Sequence, residues 1–202
     1  MVICIEISTQ FGKPQLFASL TIGGLTTGDL FPNATHYNIG CDESPENCRF
    51  DQFFASFTEI SHSDAVFSVF MYDEDDDLLL GAYRQPDIVP NDGIDTSIVI
   101  MAYASGCRRD RLYNATSRMR VPTNHLNSSQ LVGNYLNCEW SPHDRPWWNK
   151  SQELGVGRAA WTEPYIFSEK HRGMSYVAPS RWNGRNLTFV VEVTTYTLAI
   201  AV

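Results

Sequence analysis

Aromatic side chains and one arginine are concentrated in a short part of this sequence. Four of its five tryptophans lie within a stretch of 22 residues. That stretch and its flank contain Trp140, Arg145, Trp147, Trp148, Trp161 and Tyr165. A guanidinium group binds a carboxylate through two parallel hydrogen bonds, while aromatic walls exclude water and attract an ammonium group. The set therefore indicates a pocket for a small anion or zwitterion. The alternative is an aromatic mini-core on which Arg145 is stacked for structural reasons.

Motifs for catalysis and metal binding do not fit their required context. The glycines at 155 and 157 match a loose dinucleotide fingerprint, but they follow a predicted helix rather than a strand. The acidic run 73–77 matches part of a calcium loop, but Leu78 stands where glycine is required. No Cys/His cluster has zinc spacing, and no P-loop is present. We therefore predict a protein that is not an enzyme and needs no metal or cofactor.

Composition and charge narrow the class of partner. The 202 residues are 43% hydrophobic and carry a net charge of −8. An acidic chain is poorly suited to bind nucleic acid or anionic lipid, so we expect a small-molecule ligand instead. No apolar run approaches the roughly 18 residues that span a bilayer. The sequence stops inside an apolar stretch, and we expect any membrane segment to lie outside it.

Glycosylation sequons indicate a secreted or extracellular protein. The sequence Asn-x-Ser/Thr occurs at Asn33, Asn114, Asn127, Asn149 and Asn186. None of the five has proline in the middle position, so each is a potential acceptor in the secretory pathway. Chance occurrence of the sequons is the alternative.

The five cysteines favour the same compartment. Cys41 and Cys48 enclose a short polar loop, and Cys107 and Cys138 flank an Asn/Ser-rich stretch. Two disulfide bonds that close polar loops are typical of an oxidising environment. Cys4 is left over, with a partner expected beyond the sequence. Five buried or free thiols remain the alternative.

The pattern of apolar residues predicts elements of both kinds. Helices are predicted in residues 5–24, in a short segment from 50 to 60, and from an N-cap at Asp144 to Gly155. Strands are predicted at 65–71, 78–84, 97–101, 173–179 and 187–194. An acidic turn joins the first two strands, a turn at Asn183-Gly184 joins the last two, and residues 105–140 are predicted to be irregular. The order favours an α+β fold around an antiparallel sheet.

Several of these segments together resemble the Cache family of sensor domains. The matching segments are Arg145-Pro-Trp-Trp148, Trp161-Thr-Glu-Pro-Tyr165, Gly173-Met-Ser-Tyr-Val-Ala-Pro179 and Phe189-Val-Val-Glu-Val-Thr194. Upstream, residues 69–84 are similar to the family's first hairpin. The similarity covers roughly residues 48–200 and depends on the order and spacing of its segments.

The resemblance implies a PAS-like antiparallel sheet flanked by helices and packed on a long N-terminal helix. Residues 1–47 would be the truncated signalling helix and linker, and residues 48–202 the sensor domain. In the double-Cache form, this is the membrane-distal, ligand-holding module. The protein would then be the ectodomain of a transmembrane receptor on the plasma membrane, with a cyclase- or kinase-type output, and it could form a homodimer. A non-sensing module of an adhesion or channel-accessory glycoprotein is the alternative.

The resemblance also assigns roles in a ligand site. In members that bind amino acids, Arg and Trp hold the carboxylate while Tyr and Asp hold the ammonium group. Arg145, Trp147 and Tyr165 occupy matching positions. Trp148 and Trp140 stand where the family usually has tyrosine.

The position of the ammonium-binding aspartate departs from the family pattern, because Thr194 stands there. A neutral threonine removes the negative charge that an α-ammonium group requires. The expected ligand is therefore a small carboxylate or other small molecule rather than a free amino acid.

Overall fold

A computed structural model of the chain describes residues 3–10, 13–20, 54–55, 66–84, 98–114, 119–121, 136–182 and 184–194. For β1, β2 and β7, defined below, and for residue 182, only the backbone is described. The chain divides into two compact units, Met1–Tyr37 and Asn38–Val202. The predicted boundary at 47/48 remains a prediction.

The first unit contains a β-hairpin where the sequence was predicted to form the N-terminal helix. Strand β1 (Ile3–Gln10) pairs antiparallel with β2 (Lys13–Leu20), with Gln10 opposite Lys13. The prediction of a helix in 5–24 is therefore wrong. Isoleucines at 3, 5 and 7 repeat with a period of two, which is typical of a strand. A two-residue connection suits a hairpin.

The second unit is built on one antiparallel sheet. Its strands are Val66–Asp73 (β3), Leu78–Arg84 (β4), Ile98–Ala104 (β5), Cys107–Asn114 (β6), Met119–Arg120 (β7), Leu136–Asn137 (β8), Ala160–Trp161 (β9), Tyr165–Ile166 (β10), Arg172–Trp182 (β11) and Arg185–Thr194 (β12). The order across the sheet is β10-β11-β12-β3-β4-β5-β6-β7, with β9 paired to β11 and β8 to β6. The last strand lies beside the first, which fits the predicted PAS-like sheet.

Helices are a minor part of the described structure, which makes it mainly β rather than evenly α+β. The longest helix of the described residues is α1 (Pro146–Leu154), preceded by a 3-10 helix at Pro142–Asp144. The N-cap of α1 is Arg145 and not Asp144, and Gly155 ends the helix as predicted. Of the helix predicted in 50–60, only residues 54–55 are described, and they are helical. No helix in the described ranges is long and apolar enough to cross a membrane.

The two predicted hairpins are confirmed, β3–β4 and β11–β12. Strand β12 contacts the acidic turn of the first hairpin. Arg185 donates to the buried carboxylate of Asp73, at 2.7 Å, and also pairs with Asp76. The N–H of Asn186 donates to the Asp75 carboxylate, at 2.9 Å. These contacts fix the turn against the neighbouring strand.

Part of the stretch 105–140, predicted to be irregular, is sheet. Strand β6 pairs with β5 along its whole length, from Ala104 opposite Cys107 to Ile98 opposite Tyr113. Its charged residues hid the strand from the sequence pattern. Arg109 is exposed, while Arg108 and Asp110 are buried.

One face of the sheet carries the residues of functional interest and is called the site face below. Registers across β11, β12, β3 and β4 place Ser175, Glu192, Ser68 and Tyr83 in one row on this face. Trp147 of α1 packs against the site face, with its ring centroid 5.2 Å from that of Phe70. The opposite face is apolar and buried as well, for example at Leu80 and Ile100.

Candidate functional site

Polar side chains lie in the middle of the buried site face, where an apolar core is expected. The row Ser175, Glu192, Ser68 and Tyr83, called the polar row, is at most 6% exposed. Burying polar and charged groups is unfavourable unless they are hydrogen-bonded, and sheets seldom hold them without a functional or structural reason.

Glu192 is the central group of the polar row. Its Oε2 accepts a hydrogen bond from Ser68 Oγ at 2.6 Å, and its Oε1 accepts one from Tyr165 Oη at 2.7 Å. Burial raises the pKa of Glu192 to about 7, with a further contribution from the negative charge of Glu169. Hydrogen bonds from Ser68 and Tyr165 and the charge of Arg145 oppose this rise. Glu192 is therefore poised to change charge near neutral pH.

Tyr165 connects the polar row to the edge of the sheet. Strand β10 pairs with β11 so that Tyr165 lies opposite Gly173. Its hydroxyl is 2.6 Å from Ser175 Oγ as well as bonded to Glu192. A side chain at position 173 would overlap the Val193 carbonyl and the Phe167 ring, so glycine allows the chain after β10 to lie close to the sheet.

Residues Phe167–His171, called the crossing segment, pass over the site face between β10 and β11. The ring of Phe167 stacks on Phe67 of β3, with centroids 5.6 Å apart. Further along, Glu169 accepts from Arg108 on β6, which is separated from β11 by four strands. The crossing segment thus lies over the polar row on the site face, where it contacts β3 through Phe167 and β6 through Glu169.

A second polar group lies on β6 beneath the crossing segment. Arg108, 1% exposed, forms a two-point ion pair with Asp110 through bonds of 2.9 and 2.8 Å. Tyr83 Oη also donates to Asp110, at 2.9 Å. Burial raises the pKa of Asp110, while Arg108 acts in the opposite direction. The two buried charges largely neutralise each other, which is the usual condition for burying an ion pair.

Trp140 closes this second group from outside. The Arg108 guanidinium lies 5.2 Å from the Trp140 ring centroid, and the indole N–H donates to Ser168 Oγ at 3.1 Å. A disulfide bond joins Cys107 to Cys138, two residues before Trp140. The bond and the β6–β8 pairing hold the segment that carries Trp140 against β6.

Arg145 lies at the rim of the site, partly exposed. Its guanidinium donates to the Ile166 carbonyl at 3.3 Å and lies 5.7 Å from the centre of the Tyr165 ring. Arg145 and Tyr165, predicted as ligand-binding residues, are therefore neighbours. Among the described residues, the Arg145 guanidinium makes no further hydrogen bond.

The tryptophans of the predicted set do not share one location. Trp147 is 1% exposed and belongs to the hydrophobic core, and Trp148 packs edge-on against Tyr72, at 5.4 Å. Trp161 lies opposite Tyr176 in the β9–β11 pairing, on the face away from Glu192. The structure thus separates Trp161 from the row that Tyr165 contacts.

Thr194 is buried and lies opposite Gly173, in the same alternation as Glu192. It therefore belongs to the site face, two residues from the carboxylate. Sequence reasoning sought a negative charge at position 194 and passed over Glu192. The available signal was a lone glutamate inside the apolar run 189–193 of a predicted strand.

The other predicted positions are partly described. Asn149 is exposed on α1, and Asn114 and Asn186 are half-buried at strand ends. Asn33, Asn127, Cys41 and Cys48 lie outside the described residues, as does the side chain of Cys4. Among the residues that are described, no group of three or more His, Cys, Asp or Glu side chains is arranged to hold a metal ion.

No protein-family model matches the chain, and no curated protein sequence matches it. Among solved structures, it is similar to the extracellular domain of vpHK1S-Z8, a protein described as a histidine kinase, with 11% identity and a TM-score of 0.39. The match covers 86% of this chain and 50% of that one, so the chain spans about half of its neighbour. At so low a TM-score, no conclusion about fold or function follows.

Proposed function

We propose that this chain is the ligand-binding ectodomain of a transmembrane signalling receptor, similar to a Cache sensor, that binds a small molecule and performs no catalysis. The observation that carries the proposal is the polar row on a buried sheet face, with Glu192 at its centre. Within the described part of the chain Glu192 makes no ion pair. A buried carboxylate with a perturbed pKa and no ion-pair partner is a candidate functional-site residue, and a bound ligand could complete its contacts.

The ligand class follows from the two charged groups beside Tyr165. Arg145 offers a partly exposed guanidinium that suits a carboxylate. Thr194 cannot supply the negative charge that an ammonium group requires. Glu192 lies on the same face and can supply it. The favoured ligand is therefore a small carboxylate, including one that also carries an ammonium group.

An extracellular location is part of the proposal. The disulfide between Cys107 and Cys138 and the sequons support it, since disulfide bonds persist in oxidising compartments. The membrane anchor and the output module would lie in other segments of the receptor, and the proposal includes a homodimer of this domain.

The runner-up is a non-sensing module of an adhesion or channel-accessory glycoprotein. One observation favours it: Trp147 is part of the hydrophobic core, where it is 1% exposed and contacts Phe70 and Tyr72. A site face filled by its own tryptophan needs no ligand.

A thermal-shift screen of the secreted domain against carboxylates, amino acids, amines and sugars separates the two. A ligand at a hundred times its dissociation constant stabilises by about 2.7 kcal/mol. For a domain of this size, each kcal/mol raises the melting temperature by roughly 2–4 °C. We expect a hit that is lost in Arg145→Ala and in Glu192→Gln.

The matched controls are Arg158→Ala and Glu163→Gln, which change exposed residues of the same types. They should keep the full shift. A panel without any hit on the wild-type domain, with both site variants folded, would favour the non-sensing module.

A further inference from the structure

Glu192 is held by neutral donors on both of its oxygens. Ser68 Oγ lies 2.6 Å from Oε2 and Tyr165 Oη 2.7 Å from Oε1, and the residue is 6% exposed. A buried carboxylate is stabilised in its charged form by cations or by several strong donors. Two hydroxyl groups compensate a full negative charge poorly, so the protonated form competes with it.

Apart from the tyrosines, the charged and titratable groups around Glu192 come from three elements. The crossing segment contributes Glu169 and also His171, whose ring packs against Phe67 at 4.7 Å. The turn before α1 contributes Arg145, and β6 contributes the Arg108–Asp110 pair. Glu169 favours the neutral form of Glu192 and Arg145 favours the charged form.

Both tyrosines near Glu192 stay protonated. Burial and neighbouring carboxylates raise the pKa of Tyr83 and of Tyr165 far above neutrality. Each tyrosine therefore keeps its hydroxyl proton, and only the acceptor to which that proton points can change. Burial raises the pKa of Glu192 itself to about 7.

The directions of these protons depend on the charge of Glu192. When the carboxylate is ionised, Tyr165 donates to Oε1, so Ser175 must donate to Tyr165 because a phenol has one proton. When Glu192 takes up a proton, one of its oxygens becomes a donor. Either Ser68 turns its hydroxyl away, or Tyr165 accepts from Glu192 and redirects its own proton to Ser175.

The second route reaches the backbone. Ser175 is fully buried, its N–H donates to Thr162 Oγ1 at 3.0 Å, and its carbonyl accepts from the Thr162 N–H at 2.9 Å. In the second route Ser175 accepts from Tyr165, so its own hydroxyl proton needs a different acceptor near the bonds to Thr162. Thr162 lies in the connection between β9 and β10, so Ser175 joins the polar row to the segment that precedes Tyr165.

We propose that Glu192 is a proton-binding switch: uptake of one proton redirects the hydroxyl hydrogen bonds that join it to Ser68, Tyr165 and Ser175. The proton is itself the signal, so the switch goes beyond the proposed function and requires no other ligand.

The sign of the pH effect follows from linkage. The pKa of Glu192 is higher in the folded chain than the ordinary value of 4.5 in the unfolded chain. The folded state therefore binds the proton more tightly, and the resulting stability is fully present below pH 4.5. That stability declines as the pH rises and is lost at about pH 7.

The test is a titration of the domain without added ligand, with ¹³C-labelled glutamate carboxyl groups followed by NMR from pH 4 to pH 9. We expect one carboxyl resonance with a midpoint near 7, absent in Glu192→Gln. Tyr165→Phe should raise the midpoint by about one unit, because the charged form loses a donor. Glu169→Gln should lower it, because a neighbouring negative charge is removed.

Two controls separate this switch from other titrations. His171→Asn should retain the carboxyl titration, which shows that the resonance does not report the imidazole, and Glu163→Gln on the exposed surface should leave the midpoint unchanged. A wild-type midpoint near 4.5, or a midpoint that neither Tyr165→Phe nor Glu169→Gln moves, would overturn the proposal even if Glu192→Gln fails to fold. Ligand binding in the screen above would survive that outcome, because it depends on Arg145 as well.

Discussion

Arg108 illustrates at the residue scale how the core accommodates charge. The side chain is 1% exposed, yet its guanidinium is matched by Asp110 through two bonds, and Tyr83 donates to the same carboxylate. A planar guanidinium fork suits such two-point pairing, which lysine cannot reproduce. The pair gives the second polar group a fixed geometry next to Glu169 and the crossing segment.

Removing one partner of this pair should be strongly destabilising. We expect Asp110→Ala to lower the free energy of unfolding by about 3–5 kcal/mol, because it leaves a buried guanidinium with less compensating charge. Urea unfolding followed by circular dichroism measures the change. The control is Glu153→Ala, which removes the exposed partner of Lys150 on α1 and should change stability by less than about 1 kcal/mol. Equal effects of the two variants would contradict this account of Arg108.

At the scale of elements, the segment 136–140 is held to β6 by three kinds of contact. They are the β8 pairing at Asn137, the disulfide bond of Cys138 and the packing of Trp140 on Arg108. The indole N–H then reaches Ser168 at the start of the crossing segment. The disulfide bond is therefore connected, through Trp140, to the segment that covers the polar row.

The double variant Cys107→Ser/Cys138→Ser tests this connection. The bond closes a loop with a sequence separation of 31, for which chain entropy predicts a loss of about 3–4 kcal/mol in unfolding free energy. Because Trp140 would also be released, we expect a red shift of tryptophan fluorescence in the folded state. Trp140→Phe in the disulfide-bonded protein is the control for that signal. A double variant with wild-type emission would separate the disulfide from the position of Trp140.

Element predictions from the sequence succeeded where a turn signal separates two apolar runs and failed where charged residues are buried by pairing. The hairpins β3–β4 and β11–β12 carry clear turn signals between apolar runs. Strand β6 was missed because Arg108 and Asp110 are polar residues buried by pairing, which a hydrophobic pattern cannot anticipate. At the site, Arg145 and Tyr165 were found as neighbours, whereas Glu192 became visible only when the sheet registers placed it beside Tyr165.

For the whole molecule, the sequons and the disulfide bond support the proposed extracellular location from independent chemistry. Asn149 is the described sequon position with an exposed side chain, on α1 between the buried residues Trp147 and Ser151. An asparagine that faces solvent can carry a glycan without disturbing the core. Asn186 differs, because its backbone bonds to the acidic turn of the first hairpin.

We therefore expect the chain to be glycosylated at Asn149 when it is directed through the secretory pathway of a eukaryotic cell. Intact mass spectrometry before and after glycosidase treatment gives the glycan mass, and Asn149→Gln should lower it by one glycan with no loss of thermal stability. Glycosidase release converts the glycosylated asparagine to aspartate. Asn149→Asp should therefore have the mass of the wild-type chain after release of the glycan at this site. A well-secreted, disulfide-bonded protein with no glycan at Asn149 would remove that sequon as support for an ectodomain. The disulfide bond would then be the remaining structural argument, and its formation in a reducing cytosol would weaken that argument too.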